Sequence, residues 1–101
     1  MKLSELFKTK DQWTQHEYAK TKEGGPIDPN HEKAVCWCLI GGIMKCFGEG
    51  AGCVISEFKR LAFRRGFLNI VHFNDSSSFE EIKAVIEEFE DAANTQKTEQ
   101  I

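Results

Sequence analysis

The reading of this chain turns on residues 34–47, AVCWCLIGGIMKCF, a run that is apolar on nearly every side. It is long for a strand, and Asp28-Pro29 just upstream reads as an N-cap followed by proline at the first helical position. The spacing therefore predicts a helix over about 29–47, stopped by Gly48-Glu49-Gly50. A helix that is apolar all round belongs in the interior, with other elements packed about it. Gly41-Gly42 lies inside this stretch, where each glycine costs about 1 kcal/mol relative to alanine. That cost is understandable if another backbone has to come close there.

Upstream, Leu3, Leu6 and Phe7 are spaced i, i+3, i+4 and predict a short amphipathic helix over about 2–9. The segment DQWTQHEYAKTKEGGPIDPN, residues 11–30, separates it from the central helix. So long a connection in a small domain is uncommon and is often functional. Its aromatics, Trp13 and Tyr18, argue for packing on the core. Downstream, Val54, Ile55, Phe58, Leu61 and Ala62 share one face of a helix over about 51–65. Its last turns carry Lys59, Arg60, Arg64 and Arg65, which complement the dipole, and Gly66 closes it. The segment FLNIVHFND, 67–75, reads as packed loop. Ser78 and Glu81 then form a capping box, and Phe79, Ile82, Val85, Ile86, Phe89, Ala92 and Ala93 hold the helical spacing to Asn94.

These readings combine into an all-α domain of four helices over residues 1–94, with a polar, fraying tail at 95–101. The alternative is an α+β domain in which 13–19 and 67–73 pair as a small two-stranded sheet.

A chain of 101 residues is one domain by length, burying roughly 60–65% of the surface of its unfolded form. The net charge of −3 gives no reason to expect a polyanionic partner. The basic cluster of Lys59, Arg60, Arg64 and Arg65 is better read as pairing with the acidic face of the last helix, so nucleic acid is disfavoured. The longest apolar run, 34–44, falls short of the roughly 18 residues of a membrane span. The opening MKLSELFKTK lacks the apolar core of a secretory signal. A soluble, cytoplasmic protein with no membrane partner is the expectation. In that compartment Cys36, Cys38, Cys46 and Cys53 are free thiols, with a Cys46–Cys53 disulfide as the disfavoured alternative.

Those cysteines, with His31 or His72, supply enough donors for zinc, but Cys36-x-Cys38 inside a helix diverges and does not make a knuckle. No metal or cofactor is expected. Cys38, His72 and Asp75 have the residue types of a thiol triad. Burial among Val35, Trp37, Leu39 and Ile40 would keep that thiol protonated, so no catalytic residue is assigned. What remains is polar and aromatic: Trp13, Gln15, His16 and Tyr18 from one loop, His31 from the first turn of the central helix, and His72, Asn74 and Asp75 from another loop. If the helices alternate up and down, both loops fall at one end of the domain, beside two helix N-termini. That end would suit an anionic or partly aromatic ligand, although Asp28 and Asp75 oppose the charge.

Trp13-Thr14-Gln15, then Ala19, Ala34 with Trp37-Cys38 and Gly41, and finally Asn74-Asp75 ahead of an amphipathic helix resemble a family of small bacterial and phage proteins of unknown function. The similarity runs from about residue 13 to 93 through short, scattered positions, and Phe73 stands where that pattern has tryptophan. It implies a stand-alone small domain in a bacterial or phage cytoplasm and transfers no catalytic residue. The function expected is a non-enzymatic protein-binding or accessory factor. The alternative is a small-molecule binder or small hydrolytic enzyme using the 13–18 and 72–75 loops.

Overall fold

The long apolar stretch divides at Cys38. In the computed structural model, which describes the backbone of residues 1–99 and the side chains of 1–93, only its second half is helical. Helix α2 covers Leu39–Phe47, and the residues before it form a strand, β2 (Cys36–Trp37). β2 pairs antiparallel with β1 (Ala19–Lys20), Ala19 opposite Trp37 and Lys20 opposite Cys36. The helix expected from 29 therefore begins ten residues later. Two local causes are visible. Asp28 accepts from Asn30 N at 2.8 Å, so it closes a tight turn where an N-cap was expected. Val35 and Trp37, β-branched and aromatic, suit an extended backbone whose hydrogen bonds go to the 13–20 segment.

That segment loops around β2. Trp13 makes a parallel bridge to Trp37 on one side, with Thr14 N donating to Trp37 O at 3.0 Å. Ala19 and Lys20 pair on the other side, and Cys38 N donates to Tyr18 O at 3.2 Å. Lys20 also bridges Pro26, so the glycine-rich piece folds back as a tight extension of the sheet. A small two-stranded sheet is present, as the α+β alternative has it, but of 13–19 only Ala19 lies in its first strand, and the partner is 36–37. Residues 67–73 do not join the sheet. They lead into helix α4 (Ile70–Ser76), which sequence reading took for loop. Asn69 caps it by accepting from His72 N at 2.7 Å.

The remaining elements follow the sequence more closely. Helix α1 is one turn (Leu3–Leu6), shorter than the expected 2–9, and Leu3, Leu6 and Phe7 are all buried. Helix α3 covers Ala51–Arg64 and α5 covers Phe79–Glu99. Ser78 and Glu81 form the expected box, with Glu81 N to Ser78 Oγ at 3.2 Å and Ser78 N to Glu81 Oε1 at 3.0 Å. The backbone of α5 runs on beyond Asn94, so residues 95–99 of the expected tail are helical; 100 and 101 lie outside the described residues.

The result is a mostly helical domain with a small antiparallel sheet. α2 touches α1, α3 and α4, whereas α5 packs mainly on α1 and α3, with Phe89 stacked 4.7 Å from Phe58. The close approach expected at the glycine pair is present. A Cβ on Gly41 would overlap the carbonyl of Tyr18, and one on Gly42 would strike the ring of Phe7. Leu39–Arg64 is long and apolar enough by composition to cross a bilayer. Here it forms two helices separated by a 3-10 turn (Gly48–Gly50) in which Gly48 has φ 52°.

Candidate functional site

One amide organises the region where the two loops meet. Asn74, in the last turn of α4, is 1% exposed. Its Oδ1 accepts from Trp13 Nε1 at 2.8 Å and from Leu39 N, the first residue of α2, at 3.0 Å. Its Nδ2 donates to Thr14 O and to Asp75 Oδ1, both at 3.1 Å. A primary amide has two lone pairs and two N–H groups, and all four are used. Gln15 adds a second tie, its Nε2 donating to Asn74 O at 3.1 Å and to Ser77 O at 3.3 Å. Three distant segments, 13–15, the start of α2 and the end of α4, are thus fastened at one buried point.

Beside this point the chain turns at His16, which has φ 73°. Non-glycine residues rarely occupy the left-handed region, although histidine does so more readily than β-branched types. Asp75 holds the turn: its Oδ1 accepts from His16 N at 3.0 Å, and its Oδ2 lies 3.4 Å from His16 Nδ1. The turn brings His16, Glu17 and Tyr18 to one side of a pocket of about 270 Å³. Cys38 and Ile40 from the start of α2, with Val71, Asn74 and Asp75 from α4, form the rest of its wall.

Cys38 occupies the N-cap of α2, where its Sγ accepts from Gly41 N at 3.3 Å. Burial pushes its thiol above the ordinary value; the Gly41 and Ile40 amides pull the other way and lose. The sulfur is therefore a protonated cap at neutral pH. Sequence reading placed it two turns inside a helix; the correction is one of position, while its low reactivity follows from burial in both cases.

Of the eight residues singled out from sequence, the structure brings six together. Trp13, Gln15, His16, Asn74 and Asp75 are joined by the bonds above, and Tyr18 lines the pocket with a ring left largely exposed. His31 sits apart in the turn preceding β2, where its Nδ1 accepts from Lys33 N at 3.1 Å, because the helix that was to carry it does not form there. His72 is exposed and packs edge-on to Phe67, with centroids 5.4 Å apart. The histidine that meets Asp75 is His16. Asn74-Asp75, expected in a loop ahead of the last helix, end α4 instead.

Glu17, Cys38, Ile40 and Val71 also line the pocket and were not in the sequence set. Cys38 gave no N-cap signal, since the favoured caps are Ser, Thr, Asp, Asn and Gly. Val71 offered none, since α4 was not anticipated. Among the described residues no group of three or more His, Cys, Asp or Glu side chains is placed to hold a metal ion. All four cysteines are free. The basic cluster is partly neutralised: Arg64 and Arg65 both reach Glu88 of α5, at 3.3 and 2.9 Å, and Arg60 pairs with Glu57.

Comparisons of the chain with protein-family models, with curated proteins and with solved structures gave no significant match.

A second depression, on the other side of His16, is wider and more open. Lys10, Asp11 and Lys20 give it mixed charge, and Trp13, Thr14 and Gln15 also line it.

Proposed function

We propose that this protein is a non-enzymatic binding module that seats one side chain of a partner protein in the pocket between the 16–18 turn, α2 and α4. The observation that carries this reading is the match of size and surroundings. At about 270 Å³ the pocket is below the roughly 300–1,000 Å³ typical of sites that enclose a drug-sized ligand. Its rim carries Tyr18 and Val71, 54% and 51% exposed. Large apolar groups around a small concavity suit an anchor residue better than a free metabolite. The cytoplasm of a bacterium or phage-infected cell, as the family resemblance implies, is the setting proposed for it.

The competing readings have less support. An anionic ligand would meet two carboxylates and, among the described lining residues, no lysine or arginine. The first amides of α2 are already engaged, Leu39 N by Asn74 and Gly41 N by Cys38. A thiol hydrolase would need a deprotonated Cys38, which burial opposes.

The test compares tagged wild type with Val71→Asp, a change at an exposed rim position, in a lysate of the native host. A stoichiometric protein retained by the wild type and lost by the variant, with circular dichroism unchanged, is the expected result. Equal retention by both, or no retained protein, would overturn the reading.

A further inference from the structure

We infer that the side chain this pocket takes is a lysine of the partner, an inference that rests on the docking function proposed above. The walls and the floor ask for different things. Tyr18, Ile40 and Val71 present apolar surface that an aliphatic stem can cover, as lysine stems commonly do on protein surfaces. The polar end is acidic. Asp75 and Glu17 are the carboxylates of the lining, with no lysine or arginine among the described residues there.

The two oxygens of Asp75 differ. Oδ1 is taken by His16 N and by the Asn74 amide, at 3.0 and 3.1 Å. Among the described residues Oδ2 meets the His16 ring at 3.4 Å, longer than an ordinary N–H···O bond, on a side chain that is 20% exposed. One carboxylate oxygen therefore remains for an incoming donor. This favours a compact ammonium over a guanidinium, whose planar fork binds best to two parallel oxygens. The positive end of α2 offsets part of the acidity, but the amides that would express it at Leu39 and Gly41 are already hydrogen-bonded.

The experiment uses the full chain, labelled with nitrogen-15, titrated with Nα-acetyl-lysine N-methylamide and followed by amide shifts. Saturating shifts confined to Tyr18, Ile40, Val71 and Asp75, with a dissociation constant of about a millimolar, are expected for a single anchor residue without its flanking contacts. The uncharged norleucine analogue should bind at least about tenfold more weakly, the equivalent of one charge-assisted hydrogen bond. The arginine analogue should also bind more weakly than lysine. Because Asp75→Asn also loosens the His16 turn, Glu17→Gln is the second variant; it sits on an exposed residue and should weaken lysine alone by a few-fold. Norleucine binding as tightly as lysine would overturn the charge selection while leaving side-chain docking intact. Arginine equal to lysine would overturn the preference for ammonium. Lysine shifts scattered over the surface, or none at the pocket, would overturn the inference outright, and the lysate comparison then judges the docking function separately.

Discussion

Truncating Asn74 to alanine removes the one group that ties Trp13, Thr14 and the start of α2 together. The largest single loss is at Leu39 N, a buried amide whose partner among the described residues is Asn74 Oδ1. A buried donor left without a partner costs about 1–3 kcal/mol. Trp13 Nε1 and Thr14 O are half-buried, so water replaces part of what they lose, at about 0.5–1 kcal/mol each. The sum is about 2–5 kcal/mol, a large share of the 5–15 kcal/mol by which domains of this kind are stable. With a urea m-value near 1–1.5 kcal/mol/M for a small domain, the unfolding midpoint should fall by roughly 1–5 M. The sharper measurement is a double-mutant cycle with Trp13→Phe, which deletes the indole donor. In the wild-type background that change costs the hydrogen bond and some packing on Phe79; in the Asn74→Ala background it costs only the packing. A coupling energy of about 1 kcal/mol is expected between the two sites. If the two changes add to within about 0.5 kcal/mol, or if Asn74→Ala costs under about 1 kcal/mol, the amide is not the fastening point described above.

Gly41→Ala should destabilise by more than about 2 kcal/mol despite alanine's better helix propensity, because its Cβ meets the main-chain carbonyl of Tyr18, which cannot rotate away. A raised melting temperature would contradict the packing. Ser77 and Ser78 should respond oppositely to alanine. The Ser77 hydroxyl is buried with no partner among the described residues, so its loss should be neutral or stabilising by up to about 1 kcal/mol. Losing the Ser78 cap should cost about 1 kcal/mol. Urea curves on the two variants decide both. Cys38 and Cys46 both have thiol pKa values raised by burial above an ordinary 9.0. Their contribution to stability is therefore complete below about pH 9 and is lost as pH rises through the folded-state values. The stability of wild type relative to Cys38→Ser/Cys46→Ser should be level at lower pH and fall as pH rises above about 9, and a constant difference throughout would show that the thiols are not desolvated.

What could be read from sequence divides along a physical line. Helices α3 and α5 were legible because each carries its own apolar stripe and its own end signals, Gly66 for one and Ser78 with Glu81 for the other. Gly41 was legible as a point of close approach, since a glycine inside an apolar helix has few other justifications. Residues 34–38 were misread because an apolar run lacks a period that separates strand from helix, and what decided it were bonds to residues 13–20, invisible in any local window. α4 was missed because one cap, Asn69, and seven residues give little periodicity. The site followed the same rule. Its members at 13–18 and 74–75 stood out as polar and aromatic groups without a local role, whereas His31 was included on the strength of a helix that is not there. Val71 and Ile40 looked like any other core residues.

The looping of residues 13–20 around β2 has a consequence for synthesis on the ribosome. His16 and Asp75 are 59 residues apart, as are Gln15 and Asn74. At translation rates of roughly 5–20 residues per second, the first segment waits about 3–12 s for its partners to be made. α2 is made part-way through that interval, but Trp13 has no α4 to bond until its end. The nascent chain thus carries Trp13 without its Asn74 partner until late in synthesis. A chaperone that recognises short aromatic segments would find its best opportunity there, before residue 74 emerges.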